Sequence, residues 1–221
     1  MRLLAIDTAL EACSVGVVAE GKTVTRTKIV GRGHAEILFA MIEEAMAEAH
    51  LAFADLDRIA VTVGPGSFTG LRVGIAAARG LALVAGKTAV GVTTLAVHAE
   101  TARHELGPTS VLAVLPAGHG ALYGQLFAED GGEIAPAEAA PAETLARRIA
   151  ANTMIAGAGA DALAEIVGDE AAARTVHKNS APDIASLLRL AASAPDAKEA
   201  PRPLYLRPPD AKPQTNAVAR R

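Results

Sequence analysis

Short aliphatic runs and longer amphipathic ones take turns along this chain, and their spacing predicts its elements. Residues 3–6 form a buried strand that ends at Asp7-Thr8. Residues 13–19 give a second strand, a turn follows at Glu20-Gly21-Lys22, and residues 23–30 give a third, with Val24, Arg26, Lys28 and Val30 at alternate positions. Three strands joined by short turns predict an antiparallel meander. Gly31-Arg32-Gly33 then leads into a helix over residues 34–50. Its apolar positions Ile37, Leu38, Met41, Ile42, Ala45, Met46 and Ala49 make one broad face, with Glu36, Glu43, Glu44 and Glu48 mainly on the other side. Part of that face packs on the helix's own sheet, and Met41 and Met46 suit an adaptable contact.

Residues 58–86 are the stretch around which the rest is organised. The β-branched run 59–63 reads as a buried strand and Gly64-Pro65-Gly66-Ser67-Phe68-Thr69-Gly70 as a tight loop. A helix follows, with Ser67 or Thr69 as its N-cap. Gly70, Gly74, Ala78, Ala82 and Gly86 recur every four residues, which leaves one helical stripe almost bare and lets another backbone come close. A strand, a glycine loop and a helix N-terminus could together cradle a phosphate. The loop lacks the lysine of a GxxxxGK[ST] phosphate loop, and it fits the GxGxxG dinucleotide fingerprint only loosely. Composition alone favours a structural turn, with Ser67 and Thr69 capping the helix.

A strand over 88–92 and a helix capped by Thr93 or Thr94 and reaching about 106 close the first half, and Gly107-Pro108 marks a boundary. The second half opens like the first. Residues 110–115 are a strand, 116–120 a loop, 121–128 another strand, and Glu129-Asp130-Gly131-Gly132 a turn. A helix over 142–150, a strand to 156 and Gly157-Ala158-Gly159 follow. Helices at 161–167 and 183–192 then flank a short segment around Val176. Six of the twelve prolines fall between Pro195 and Pro213, which argues against regular structure there. Leu204-Tyr205-Leu206 is the apolar island expected to dock on the body, and residues 211–221 are expected to be disordered. The expected fold is α/β, with mixed sheets in two subdomains, residues 1–106 and 107–192. A proline-rich tail, 193–221, docks back at 203–207.

Composition narrows the possibilities. The 221 residues are 51% hydrophobic but only 3% aromatic, so the core must come from close helix contacts and aliphatic strands. A net charge of -3 gives no basic footprint for nucleic acid. Cys13 is the single cysteine, which rules out an intrachain disulfide and favours a reducing compartment. The opening apolar run is too short for a signal peptide, and the apolar stretch 73–86 is interrupted by Arg79 and falls short of a membrane span. A cytoplasmic location with no membrane contact is the expectation.

Three stretches carry a resemblance. GPGSFTGLRVG at 64–74, the opening MRLLAIDTALEACSVGVV, and Pro203-Leu204-Tyr205-Leu206-Arg207 closely resemble the TsaB (YeaZ) family. Its members are the dimerisation subunits of the bacterial machinery that makes threonylcarbamoyladenosine in tRNA. The resemblance is strong over the first subdomain and weaker between there and the tail. It implies the duplicated ribonuclease-H-like fold of the actin and sugar-kinase superfamily and a non-catalytic adaptor. The implied partners are the catalytic threonylcarbamoyltransferase subunit (TsaD) and the small ATPase subunit (TsaE). When the chain is alone the resemblance leaves both a homodimer and a monomer open, and it implies that tRNA is met only through the complex. In that family the helices at 34–50 and 70–86 form the subunit contact. The implied partner-facing residues are therefore Ile37, Leu38, Met41, Ile42, Met46, Gly70, Leu71, Gly74, Ile75, Ala78 and Ala82. No cofactor is expected on this chain, since ATP and metal belong to the partner subunits.

Two enzymatic readings stand against the adaptor. Asp7 ends the first strand where actin-like ATPases place an acidic residue beside phosphates and metal, and Gly157 and Gly159 fall where such proteins contact adenosine. A small actin-like phosphotransferase would use Asp7, Thr8 and the 64–70 loop, although Thr8-Ala9 stands where those enzymes carry a glycine. Many family members read IDARMGEVY after the first strand of the second subdomain. Here Pro116, Gly118 and Ala121 replace the Asp, Arg and Glu, while Gly120 and Tyr123 remain. A metalloprotease would need a ligand pair such as HxxxH. The histidines are His34, His50, His98, His104, His119 and His177, and the closest two, His98 and His104, point to different sides of a helix. Ser67 is not in a GxSxG elbow, and Cys13 on a strand reads as a small core residue.

Overall fold

The computed structural model describes residues 1–168, 174–176, 181–195, 197 and 199–207. The first half runs β1 (Leu3–Asp7), β2 (Ala12–Ala19), β3 (Lys22–Ile29), α1 (His34–Glu48), β4 (Arg58–Thr62), α2 (Phe68–Ala85), β5 (Thr88–Val92) and α3 (Thr94–Leu106). The second runs β6 (Ser110–Gly118), β7 (Ala121–Phe127), β8 (Glu138–Pro141), α4 (Ala142–Ala146), β9 (Thr153–Ala156), α5 (Ala160–Val167), β10 (Thr175–Val176) and α6 (Ile184–Ser193).

Two mixed sheets result, in the orders β3-β2-β1-β4-β5 and β10-β9-β6-β7-β8. In the first, β1 pairs antiparallel with β2 and parallel with β4. In the second, β6 pairs antiparallel with β7 and parallel with β9. Each half therefore builds the same central strand with a hairpin on one side and a crossover on the other. β1 and β4 are buried along their whole length because helices cover both of their faces. β3, at the edge, turns Val24 inward and leaves most of its residues to solvent.

α1 and α2 cover one face of the first sheet, with Leu38, Met41, Ile42, Leu71 and Ile75 against Leu4, Ile6, Val15 and Ile59. The other face is covered by α6, whose Ile184, Leu187, Leu188 and Ala191 meet Leu3, Ala5 and Ala60, with Val97 of α3 beside them. The 107–192 segment is thus not one structural unit, because its last helix completes the core of the first. Arg58 fixes that helix, donating to the carbonyls of Ala191 (2.7 Å) and Ala194 (2.6 Å). α3 also packs on the second sheet through Leu95, Ala99 and Ala102, so it serves both halves. α4 and α5 cover the remaining face through Leu145 and Leu163.

The second half departs from expectation in detail. The strand expected to stop at 115 continues through a bulge at Pro116 to Gly118. The helix expected over 142–150 ends at Ala146, and the residues just before it, Glu138–Pro141, pair with β7 as an extra edge strand. α2 is 18 residues long with a mean hydropathy of 1.4, long and apolar enough by composition to cross a membrane, yet it lies on the sheet as a core helix. Beyond α6 the chain docks as a strap. The Leu204 amide donates to the Val63 carbonyl (2.7 Å), Tyr205 stacks on Phe68 with ring centroids 5.7 Å apart, and Arg207 donates to the Ala117 and Gly118 carbonyls. His177 and the 211–221 segment lie outside the described residues.

Candidate functional site

The turn after β1 and the loop before α2 meet at the C-terminal edge of the first sheet. Ser67 is the N-cap of α2, its hydroxyl accepting from the Gly70 amide at 3.3 Å. The Ser67 amide donates to the Ala9 carbonyl at 2.7 Å, and the Thr8 hydroxyl donates to the Gly70 carbonyl at 2.7 Å. A Cβ at Gly66 would overlap the Ala9 carbonyl oxygen, one at Gly70 the Thr8 carbonyl oxygen, and one at Gly74 the Thr8 hydroxyl. The glycines therefore serve the close approach of Thr8-Ala9. Beside this close approach a cleft of about 520 Å3 opens, lined by residues 31–36 and by Ser67, Thr69, Gly70 and Val73. Gly64 (φ 109°) and Pro65 are buried and turn the strand into the loop; the Gly64–Pro65 peptide is cis. Thr69 stands exposed in the first turn.

Asp7 lies beneath this junction, fully buried. Its Oδ1 accepts from the Thr62 hydroxyl (2.5 Å) and the Ala9 amide (3.2 Å), while Oδ2 has no partner. Burial pushes its carboxyl up to about 6, and the two hydrogen bonds and nearby His34 pull the other way. His34 itself is tied by Nε2 to the Leu10 carbonyl at 2.9 Å. Gly157 and Gly159 sit far along the chain against β6. A Cβ on Gly157 would overlap the Val114 carbonyl oxygen, and the Gly159 amide donates to that same oxygen (3.1 Å). They are packing glycines. Among the described residues no three His, Cys, Asp or Glu side chains come together to hold a metal ion.

The helix faces require a correction. Leu38, Met41, Ile42, Met46, Gly70, Leu71, Gly74, Ile75, Ala78 and Ala82 are buried within this chain, and Ile37 is half-buried. The bare stripe of α2 faces its own sheet, where Gly74 lies against Ile6 and Val61. These residues hold the two helices down and do not form an outward surface. What points outward is a second set. Phe39, Leu83 and Val84 are 52%, 83% and 88% exposed. Ala40 and Ala47 of α1 and Ala76 and Gly80 of α2 are exposed between and beside them. The sequence carried a signal for this set: Leu83 and Val84 are large apolar residues that lie off the bare stripe of α2.

Taken together, the duplicated mixed sheets define an actin-like α/β protein of two ribonuclease-H-like halves. The family model described as "TsaD: tRNA N6-adenosine threonylcarbamoyltransferase" matches residues 26–207. The chain belongs to that family, and its relatives within it include TsaB (YeaZ) proteins. It is similar to "tRNA threonylcarbamoyladenosine biosynthesis protein TsaB" of Escherichia coli (strain K12), 38% identical over 130 residues, 59% of this chain and 56% of that one. An uncharacterised Mycobacterium tuberculosis protein is 35% identical over 216 residues, 96% of this chain and 94% of that one. The solved structure "YeaZ from Pseudomonas aeruginosa" superposes with a TM-score of 0.80 at 29% identity, covering 93% of this chain and 99% of that one. The chain spans about half the length of the curated TsaB relatives it matches.

Proposed function

We propose that this chain is a non-catalytic adaptor in tRNA threonylcarbamoyladenosine biosynthesis. It binds the catalytic threonylcarbamoyltransferase subunit, presents the small ATPase subunit to it, and meets tRNA only within that assembly, in the cytoplasm. The observation that carries the reading is the outward face of α1 and α2. Phe39, Leu83 and Val84 stand in solvent beside small residues, Ala40, Ala76 and Gly80, that let another helix approach. Leu83 and Val84, adjacent on α2 and almost fully in solvent, are the kind of exposed apolar surface that an interaction site supplies. The reading draws support also from the glycine loop, whose Gly66 and Gly70 serve the close approach of the Ala9 and Thr8 carbonyls. ATP and metal then act on the partner subunits.

The test is co-purification with the threonylcarbamoyltransferase subunit of the same organism. Val84→Asp and Phe39→Glu are expected to keep the wild-type melting temperature, because both side chains already face water, and to lose the partner. Retained binding by both folded variants would move the contact elsewhere. A phosphotransferase is the second reading, favoured by the unpartnered Oδ2 of Asp7. It requires ATP turnover by the isolated chain that Asp7→Ala abolishes.

A further inference from the structure

The two halves are tied to each other at both ends of β6. At its N-terminal end Ser110 donates to the Phe127 carbonyl (3.1 Å), and α3 grips the turn just beyond Phe127. Arg103 of α3 donates through Nε to the Glu129 carbonyl (3.1 Å) and through Nη1 to Glu100 (3.0 Å). Glu100 in turn pairs at 3.4 Å with Arg189 of α6, the helix that lies on the first sheet. The side chains of Arg103 and Glu100 are only 20% and 16% exposed. This tie belongs to the packed seam along which α3 touches both sheets.

At the C-terminal end of β6, about 26 Å away along the strand, the tie is the strap. Leu204 and Tyr205 hold it to the first half through the Val63 carbonyl and the Phe68 ring, and the Tyr205 hydroxyl accepts from Arg72 Nε at 3.2 Å. Arg207 holds it to the second half through the Ala117 and Gly118 carbonyls, where β6 ends. Arg207 comes three residues after Leu204, so the backbone between the anchors spans at most about 11 Å and has little slack. Pro201 and Pro203 stiffen the approach to the first anchor.

In character the second tie is the opposite of the first. Phe68 and Tyr205 are each 49% exposed. Upstream of them the strap stands off α2 across two clefts, of about 570 Å3 beside Pro203 and about 590 Å3 beside Glu199. An exposed ring stack and a few hydrogen bonds open at lower cost than a packed seam. We propose that residues 203–207 are a latch that sets the angle between the two halves. The seam of Arg103, Glu100 and Arg189 is the pivot. Lifting Tyr205 off Phe68 frees the β6–β7 hairpin to turn relative to the 64–70 loop.

Spin labels on the exposed positions Thr25→Cys and Glu143→Cys, one in each half, read that angle as a distance by double electron–electron resonance. Cys13 is buried and stays unlabelled. The doubly labelled chain with its latch intact is expected to give one narrow distance distribution. Adding Tyr205→Ala and Arg207→Ala is expected to widen that distribution at least about twofold, as one arrangement gives way to several. Arg207→Ala alone leaves the ring stack in place and is expected to give an intermediate width; it decides the matter if the double variant fails to fold. Distributions that stay as narrow in the folded variants would overturn the latch and leave the seam alone to set the angle. A broad distribution with the latch intact would overturn it too, because the angle would then not be set.

Discussion

Asp7 is a carboxyl held where only one of its oxygens finds a donor. Its folded-state value, about 6, lies above the ordinary 3.8, so the native state binds a proton that the unfolded state releases. Stability therefore falls as pH rises from about 4 to about 6 and stays reduced above that. At about 1.4 kcal/mol per pH unit the ceiling on this cost is about 3 kcal/mol. Asp7→Asn should thus gain in melting temperature relative to wild type as pH is raised from 4 to 7.5, and a pH-independent difference would refute the raised carboxyl. Cys13 is the complementary case. Burial and the neighbouring Asp7 push its thiol up to about 11. Native protein should leave a disulfide reagent unreacted until denaturant is added. That Asp7 ends a strand was plain from the sequence. That Thr8 and Ala9 close over it was not, because the glycines that admit them belong to a segment almost sixty residues away in the chain.

At the scale of elements, periodicity tells which residues of a helix share a face but not what that face meets. The spacing of Gly70, Gly74, Ala78 and Ala82 made the bare stripe visible, and its partner turned out to be β1 and β4. Two substitutions in α2 should separate its sides. Gly74→Leu drives a side chain into Thr8, Val61 and Ile6, and should cost about 3 kcal/mol or more in a melt. Gly80→Leu meets nothing within 4 Å and should stabilise the helix by about 0.5–1 kcal/mol. Under the adaptor reading the second variant, though more stable, should bind the catalytic subunit worse. Elements with weak signals were less legible. β8 was missed because Glu138–Pro141 holds a proline and two alanines, and only its pairing with β7 makes it a strand.

For the molecule as a whole, the two sheets do not stand apart, since α3 packs on both and α6 returns from the second half to the first. Unfolding should accordingly show one calorimetric transition. Asp183 caps α6, accepting from the Ala185 and Ser186 amides at 3.1 and 3.0 Å. Asp183→Ala should destabilise that whole transition by about 1–2 kcal/mol, with no early step for the second sheet alone. The return of α6 also sets an order of events during synthesis. β1 and β4 leave the ribosome long before Ile184 is made, and the face carrying Leu3, Ala5 and Ala60 has no cover until then. At bacterial elongation speeds that wait is about 6–25 seconds. The nascent chain spends it with an apolar sheet face bare, a substrate for ribosome-associated chaperones, and the first half cannot finish folding until the second half has been read.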